Sequence, residues 1–178
     1  MRYIDFYTLE TERLFLKKIS LEFRDGLYRL LSDVNIVKYT EDNLMTDLAG
    51  VKSIIKKNQE LYKDFGFGKW AVVNKQNNQF IGLCGFKYYQ SLNKIALSYS
   101  FLKEHWSQGF ATEASKAALN YAFNDLKIDT VTAWSTPDNL ASLKVLDKLG
   151  FSFVQEERWG KINWYNYEIN INSFINLE

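Results

Sequence analysis

One cysteine, one histidine and one proline occur in these 178 residues, and the first two scarcities each close off a class of chemistry. Cys84 has no partner in the chain, so no internal disulfide is possible, and a reducing cytoplasm is the expected compartment. His105 stands alone, without the paired His, Cys or acidic spacing that holds a metal, so no metal is expected. Long apolar runs are missing too. None approaches the roughly twenty residues that span a bilayer, and the N-terminus lacks the apolar core of a secretory signal. An excess of one charge is also absent: 22 basic against 21 acidic side chains leave +1, with no electrostatic footprint for nucleic acid or a membrane. There is no low-complexity linker and no internal repeat. Neither a Gly-Lys-Ser/Thr sequence nor a triple-glycine fingerprint is present, which argues against a nucleotide loop of those kinds.

What is present suits one sizeable core. With 47% hydrophobic residues, the whole of 1–178 reads as a single domain. Alternation and turn residues predict strands at Leu14–Ile19, Gly68–Asn74, Gln79–Tyr88, Ile95–Leu102 and Asp129–Ser135, then a hairpin of Ser152–Arg158 with Trp164–Ile171. Lys75-Gln76-Asn77-Asn78 is the turn of the first hairpin. Helices are predicted at Glu22–Leu31, from Asp47 to about Tyr62, after Gly109, and after Asn139. A meander of strands followed by strand-helix-strand units implies an α/β (α+β) fold, a mixed sheet with helices on both faces.

The chemistry concentrates where the strand Ile95–Leu102 meets Trp106-Ser107-Gln108-Gly109-Phe110-Ala111-Thr112-Glu113-Ala114. A glycine turn runs there straight into a helix whose Ala111, Ala114, Ala118, Tyr121 and Ala122 share one face. A helix start offers N–H groups without intrahelical partners and the positive end of the helix dipole, which suits a phosphate or pyrophosphate. Downstream, Asp138 or Asn139 can cap the helix that carries Ser142 and Lys148, and Gly150 falls where a left-handed C-cap belongs.

These two segments together resemble the GNAT superfamily of acetyl-CoA-dependent N-acetyltransferases, most specifically the branch that acetylates N-terminal alanine or serine of ribosomal proteins. Glu10-Thr11-Glu12-Arg13-Leu14-Phe15-Leu16-Lys17 and Phe80-Ile81-Gly82-Leu83-Cys84-Gly85-Phe86 resemble two strands of the same branch. The resemblance implies a mostly antiparallel sheet of about seven strands that splays apart around the pantetheine arm of the coenzyme. It implies coenzyme contacts at Phe101, Leu102, Ser107, Gln108, Gly109, Phe110, Ala111, Thr112, Asn139, Ser142 and Lys148. It further implies an oxyanion donor in the backbone at Tyr99 or Ser100, where the family carries a bulge, and Ser142 as proton donor to the leaving thiolate. Other branches place a tyrosine where this chain has Leu146.

Three positions depart from the family pattern. The acid expected on the strand before Tyr99 is Ala96, so the base comes from Glu41, Asp42 or Glu104, or from a water chain; otherwise the protein is a coenzyme-binding sensor or scaffold. Trp106 and Ser107 replace the common Arg or Gln and glycine of the turn, and Ser107 must adopt its geometry without glycine's freedom. Glu113, in the first turn of its helix, reads as a dipole or capping partner, and His105 as a solvated loop residue. Tyr39, Tyr88, Tyr89, Trp159 and Trp164 are candidates for an acceptor cleft suited to a peptide N-terminus or an amine on an apolar body. The expected partners are acetyl-CoA and an amine, and the assembly a monomer or homodimer.

Overall fold

A computed structural model describes residues 8–40 and 44–175. Eight strands make one sheet: β1 Thr8–Glu10, β2 Leu14–Lys18, β3 Lys69–Asn74, β4 Gln79–Tyr89, β5 Lys94–Phe101, β6 Thr130–Ser135, β7 Ser152–Trp159 and β8 Ile162–Asn170. Their order is β1-β2-β3-β4-β5-β6-β8-β7. Every neighbouring pair is antiparallel except β5 with β6. The strand beyond the expected seven is β1. It is split from β2 by a tight turn in which Thr11 N–H donates to Leu14 O at 3.0 Å and Leu14 N–H donates to Thr11 Oγ1 at 3.0 Å.

The helices are α1 Arg24–Leu31, α2 Val34–Val37, α3 Leu48–Phe65, α4 Phe110–Asn120, α5 Leu140–Lys148 and α6 Ile171–Ile175. The short α2 and α6 carry too few residues for a helical period and were not anticipated. Helix α3 starts where Asp47 Oδ1 accepts from Gly50 N–H at 2.9 Å and runs one turn past Tyr62, ending at Gly66 in a left-handed cap. Helix α4 continues as a π-helical turn, Tyr121–Asp125.

Alternation on β3 explains the layering. Trp70 and Val72 join one core with Phe86, Ala114, Ala118 and Phe123, while Ala71 and Val73 join another with Leu27, Leu30, Val51 and Ile55. The central strand is thus buried on both faces, which is why it reads as an unbroken apolar run. The ladder from β4 to β5 runs unbroken from Gly82↔Phe101 to Tyr89↔Lys94, so β5 carries no bulge at Tyr99 or Ser100, contrary to expectation. The irregularity lies one strand over, where Val72 faces Gly82 and Val73 faces Phe80, leaving Ile81 as the extra residue. Among the described residues no helix is long and apolar enough to cross a membrane.

Candidate active site

Strands β5 and β6 pair at a single position, Ala96↔Thr132, although β5 continues to Phe101 and β6 to Ser135. Their divergence opens the sheet. The resulting cleft holds about 680 Å³, within the usual range for a ligand site of roughly 300–1,000 Å³.

The backbone of β5 is oriented by its ladder. Leu102 N–H donates to Ile81 O at 3.0 Å, so antiparallel alternation turns the polar groups of Ser98 and Ser100 toward β4 and those of Leu97, Tyr99 and Phe101 toward the gap. Of the two expected oxyanion donors, the Tyr99 N–H is therefore the one that faces the cleft. Phe101 O faces the same way and accepts from Trp106 Nε1 at 2.6 Å, so the tryptophan that replaces Arg or Gln closes off the end of the open strand edge.

At one end of the cleft Gly109 adopts φ +81, the left-handed region that only glycine enters freely, and Ser107 adopts φ +59. The first intrahelical bond of α4 is Glu113 N–H to Gly109 O at 3.0 Å. The N–H groups of Phe110, Ala111 and Thr112 thus precede any intrahelical acceptor, and all three residues line the cleft with Ser107 and Gly109. N–H groups left free in this way fit a pyrophosphate, as an anion cradle would. On α5, Asn139 is the cap: its Oδ1 accepts from Ser142 N–H at 3.2 Å. Gly150, at φ +78, ends the helix with Phe151 N–H donating to Leu146 O at 3.0 Å, the predicted cap. Lys144 and Lys148 line the cleft one helical turn apart.

Of the residues expected at the coenzyme, Leu102 and Gln108 do not line the cleft. Leu102 is buried in the core beneath α1 and α3. Gln108 turns its side chain to Glu104 O at 2.8 Å, and its own carbonyl accepts from Arg13 Nη1 at 3.0 Å.

Tyr99 Oη lies 3.0 Å from Ser142 Oγ, where either hydroxyl can donate, and 3.3 Å from Ser142 O, so its one hydrogen can go to either serine oxygen. Burial pushes the Tyr99 phenol well above its ordinary range, so it stays protonated at all working pH values. A phenol from β5 thus stands beside Ser142, one helical turn before Leu146. That contact spans the sheet and a helix, and no local spacing signals it.

Glu113 is neither a cap nor a bare dipole partner. It accepts from Thr11 Oγ1 at 2.6 Å, Arg13 N–H at 2.9 Å and Arg13 Nε at 2.7 Å, and pairs with Arg13 Nη2 at 2.6 Å. The Arg13 guanidinium also lies 4.5 Å from the centre of the Phe110 ring. Partial burial pushes the Glu113 carboxyl up, but the bonds from Thr11 and Arg13 outweigh it and hold the group below the usual carboxylate range.

Among the candidate bases, Glu104 pairs with Arg29; Glu41 and Asp42 lie outside the described residues. Ala96 is buried, and its cross-sheet row continues through Thr132 to Glu168, whose carboxylate is held by Lys94 at 2.9 Å. His105 is half-buried and edge-on to Phe110 at 6.2 Å rather than solvated. Of the aromatic candidates, Tyr39, Tyr89 and Trp164 line the cleft, Tyr88 and Trp159 do not, and Trp134 joins them.

Comparison with known proteins agrees with this geometry. The acetyltransferase (GNAT) domain family matches residues 13–152. An uncharacterized N-acetyltransferase of Bacillus licheniformis, p20, is 32% identical over 145 residues, covering 81% of this chain and 82% of its own. Two solved structures share the fold. A ribosomal-protein-S5-alanine acetyltransferase from Vibrio fischeri has a TM-score of 0.80 at 17% identity, covering 94% of this chain and 98% of its own. A spermidine N-acetyltransferase from Vibrio cholerae, solved in complex with CoA and spermine, has a TM-score of 0.79 at 16% identity, covering 93% and 100%.

Proposed function

Since the chain belongs to the GNAT acetyltransferase family, we propose that it takes an acetyl group from acetyl-CoA and transfers it to a primary amine by direct attack on the thioester. The observation that carries this reading is the convergence, in one cleft, of the Gly109 cradle, the open edge of β5 and the Tyr99–Ser142 hydroxyl pair.

The residues divide the work as follows. Backbone N–H groups of Phe110, Ala111 and Thr112 hold the pyrophosphate, with Lys144 and Lys148 adding positive charge along α5. The open edge of β5 at Tyr99 pairs with the amide-bearing arm as an added strand would. A neutral amine attacks the acetyl carbon, and the Tyr99 N–H donates to the carbonyl oxygen as it gains charge. Collapse breaks the carbon–sulfur bond. The proton that leaves the new ammonium reaches the sulfur through the Ser142 hydroxyl, which takes one proton as it gives one. With Tyr99 O–H donating to Ser142 Oγ, the serine hydrogen is left to point at the sulfur, and neither hydroxyl ends charged.

The acceptor belongs to the same reading. The Vibrio neighbours are named for different amines, a ribosomal-protein alanine and spermidine, and both a protein N-terminus and a small amine fit a cleft open through the sheet. One observation favours a second reading, a coenzyme-binding sensor with little chemistry: a buried alanine, Ala96, stands where the resemblance leads one to expect an acid. Release of free thiol from acetyl-CoA across N-terminal peptides, polyamines and aminoglycosides, with calorimetric titration of acetyl-CoA alongside, separates the two. Turnover with any acceptor supports the enzyme, and tight binding without turnover on any of them supports the sensor.

A further inference from the structure

The face of the sheet opposite α4 and α5 presents a wall of rings. Tyr89 on β4 meets Trp134 on β6 at 4.9 Å between centroids, Trp134 meets Trp159 at 5.1 Å, and Trp159 meets Trp164 on β8 at 5.7 Å. Tyr89, Trp134 and Trp164 line the cleft, and Tyr39 and Ile36 line it from α2 and the turn after it. The wall is fixed before any ligand arrives. Trp134 Nε1 donates to Glu157 Oε2 at 3.2 Å, and Glu157 is itself held by Asn166 Nδ2 and by Gln155 Nε2 at 3.1 Å. Rings locked in this way lose little freedom when something packs against them.

An aromatic wall can serve a cation or another ring, and two further observations decide between them. Ring faces already carry the chain's own cations: Lys38 lies 4.5 Å from the Tyr39 centroid and Lys94 lies 5.8 Å from that of Trp134. The charged side chains lining the cleft are also the wrong ones for a polycation. Among the described residues, Lys87, Lys144 and Lys148 line it against one carboxylate, Asp138, at the head of α5. Glu157 and Glu168, the carboxylates nearest the rings, do not line the cleft and are committed to Trp134 and Asn166 and to Lys94 respectively. Among the described residues, a second or third ammonium brought in here would meet three lysines and a single carboxylate.

We propose that the acceptor is a single primary amine carried on an aromatic body, seated against Tyr89, Trp134 and Trp164, and that polyamines and aminoglycosides are poor acceptors. This rests on the acetyl-transfer reading above. The free amine and the N-terminal residue of a peptide present the same chemistry, and the test separates these sources.

The experiment is thiol release from acetyl-CoA by the full chain with phenethylamine, tryptamine, spermidine, an aminoglycoside, and two peptides that differ only in an N-terminal Phe or Ala. The expected result is a kcat/KM at least tenfold higher for the aromatic amines, or for the Phe peptide over the Ala peptide, than for spermidine. Trp134→Leu keeps apolar bulk and should cut that preference about tenfold while the calorimetric Kd for acetyl-CoA stays within twofold; Tyr89→Leu serves as an independent second variant. Equal or better turnover of spermidine or the aminoglycoside, or an unchanged preference in both variants, overturns the acceptor assignment alone. Binding of acetyl-CoA with no turnover of any acceptor overturns the acetyl-transfer reading and the assignment with it.

Discussion

The Tyr99 hydroxyl sits 3.0 Å from the Ser142 hydroxyl, joining the open strand edge to the helix across the cleft. A half-buried tyrosine whose phenol is pushed up by desolvation can donate but does not itself ionise near neutral pH. In the proposed mechanism the tyrosine therefore orients the serine, and the serine moves the proton.

That division predicts unequal losses. Ser142→Ala removes the relay and should lower kcat about tenfold or more, within the range for general acid–base groups. Tyr99→Phe keeps the ring and leaves the Tyr99 N–H in place, so kcat should fall only a few-fold. The Kd for acetyl-CoA should move less than about twofold in both, since neither change touches the phosphate cradle. If single-turnover kinetics show an unchanged chemical step in Ser142→Ala, the serine is packing and not relay.

Gly109→Val probes the cradle. Holding a β-branched residue at φ +81 costs on the order of 1–3 kcal/mol, which a domain of this size can absorb and still fold. Alternatively the turn relaxes toward negative φ and re-aims the N–H groups of Phe110, Ala111 and Thr112. Added side-chain atoms also crowd Arg13, because even a Cβ at this position comes within 3.4 Å of Nη2. Acetyl-CoA affinity should fall at least tenfold while the thermal midpoint drops only a few degrees. Equal affinity in a folded variant would show that the turn does not hold the phosphates.

Those features were legible in sequence because they are local. Gly109 and Gly150 announce left-handed turns, Asn139 announces a cap, and alternation announces most strands. Pairings across long separations were not legible. Arg13 and Glu113 lie 100 residues apart, and Tyr99 and Ser142 lie 43 apart. Nothing in either neighbourhood points to the other. The ring wall is legible in part: Tyr89, Trp159 and Trp164 are candidates in the sequence, whereas Trp134 is not, because a strand residue's face depends on which strands flank it. The bulge was expected on β5 and sits on β4, since a one-residue register change is set by packing between strands rather than by the pattern of either one.

Glu104 is poorly placed to be the base. Its own backbone N–H lowers the carboxyl first; burial opposes this, and the hydrogen bond and charge of Arg29 lower it again, leaving a weaker base than a free carboxylate. Glu104→Gln should leave kcat/KM, and the pH at which it rises, within about twofold and 0.3 pH units of wild type. A loss of the rising limb in that variant would return Glu104 to the mechanism.

The Arg13–Glu113 pair makes the cradle pH-sensitive. The folded carboxyl lies below its unfolded value, so the pair contributes stability that is fully present above the unfolded pKa, about 4.3, and is lost as pH falls through the lower folded value. Glu113→Gln keeps the shape but removes the charge; at pH 7 it should cost on the order of 1 kcal/mol, since the pair is partly exposed and screened. The gap between variant and wild type should be constant from pH 8 down to about 5 and narrow below that, as wild type alone takes up the proton. Because Arg13 also holds the Gln108 carbonyl and covers Phe110, the same substitution should weaken acetyl-CoA binding several-fold at pH 7. Urea melts of both proteins between pH 3 and 8, with acetyl-CoA titrations at pH 7, read both effects. A gap that widens on acidification would mean that the carboxyl is raised on folding, and that the pair does not brace the turn.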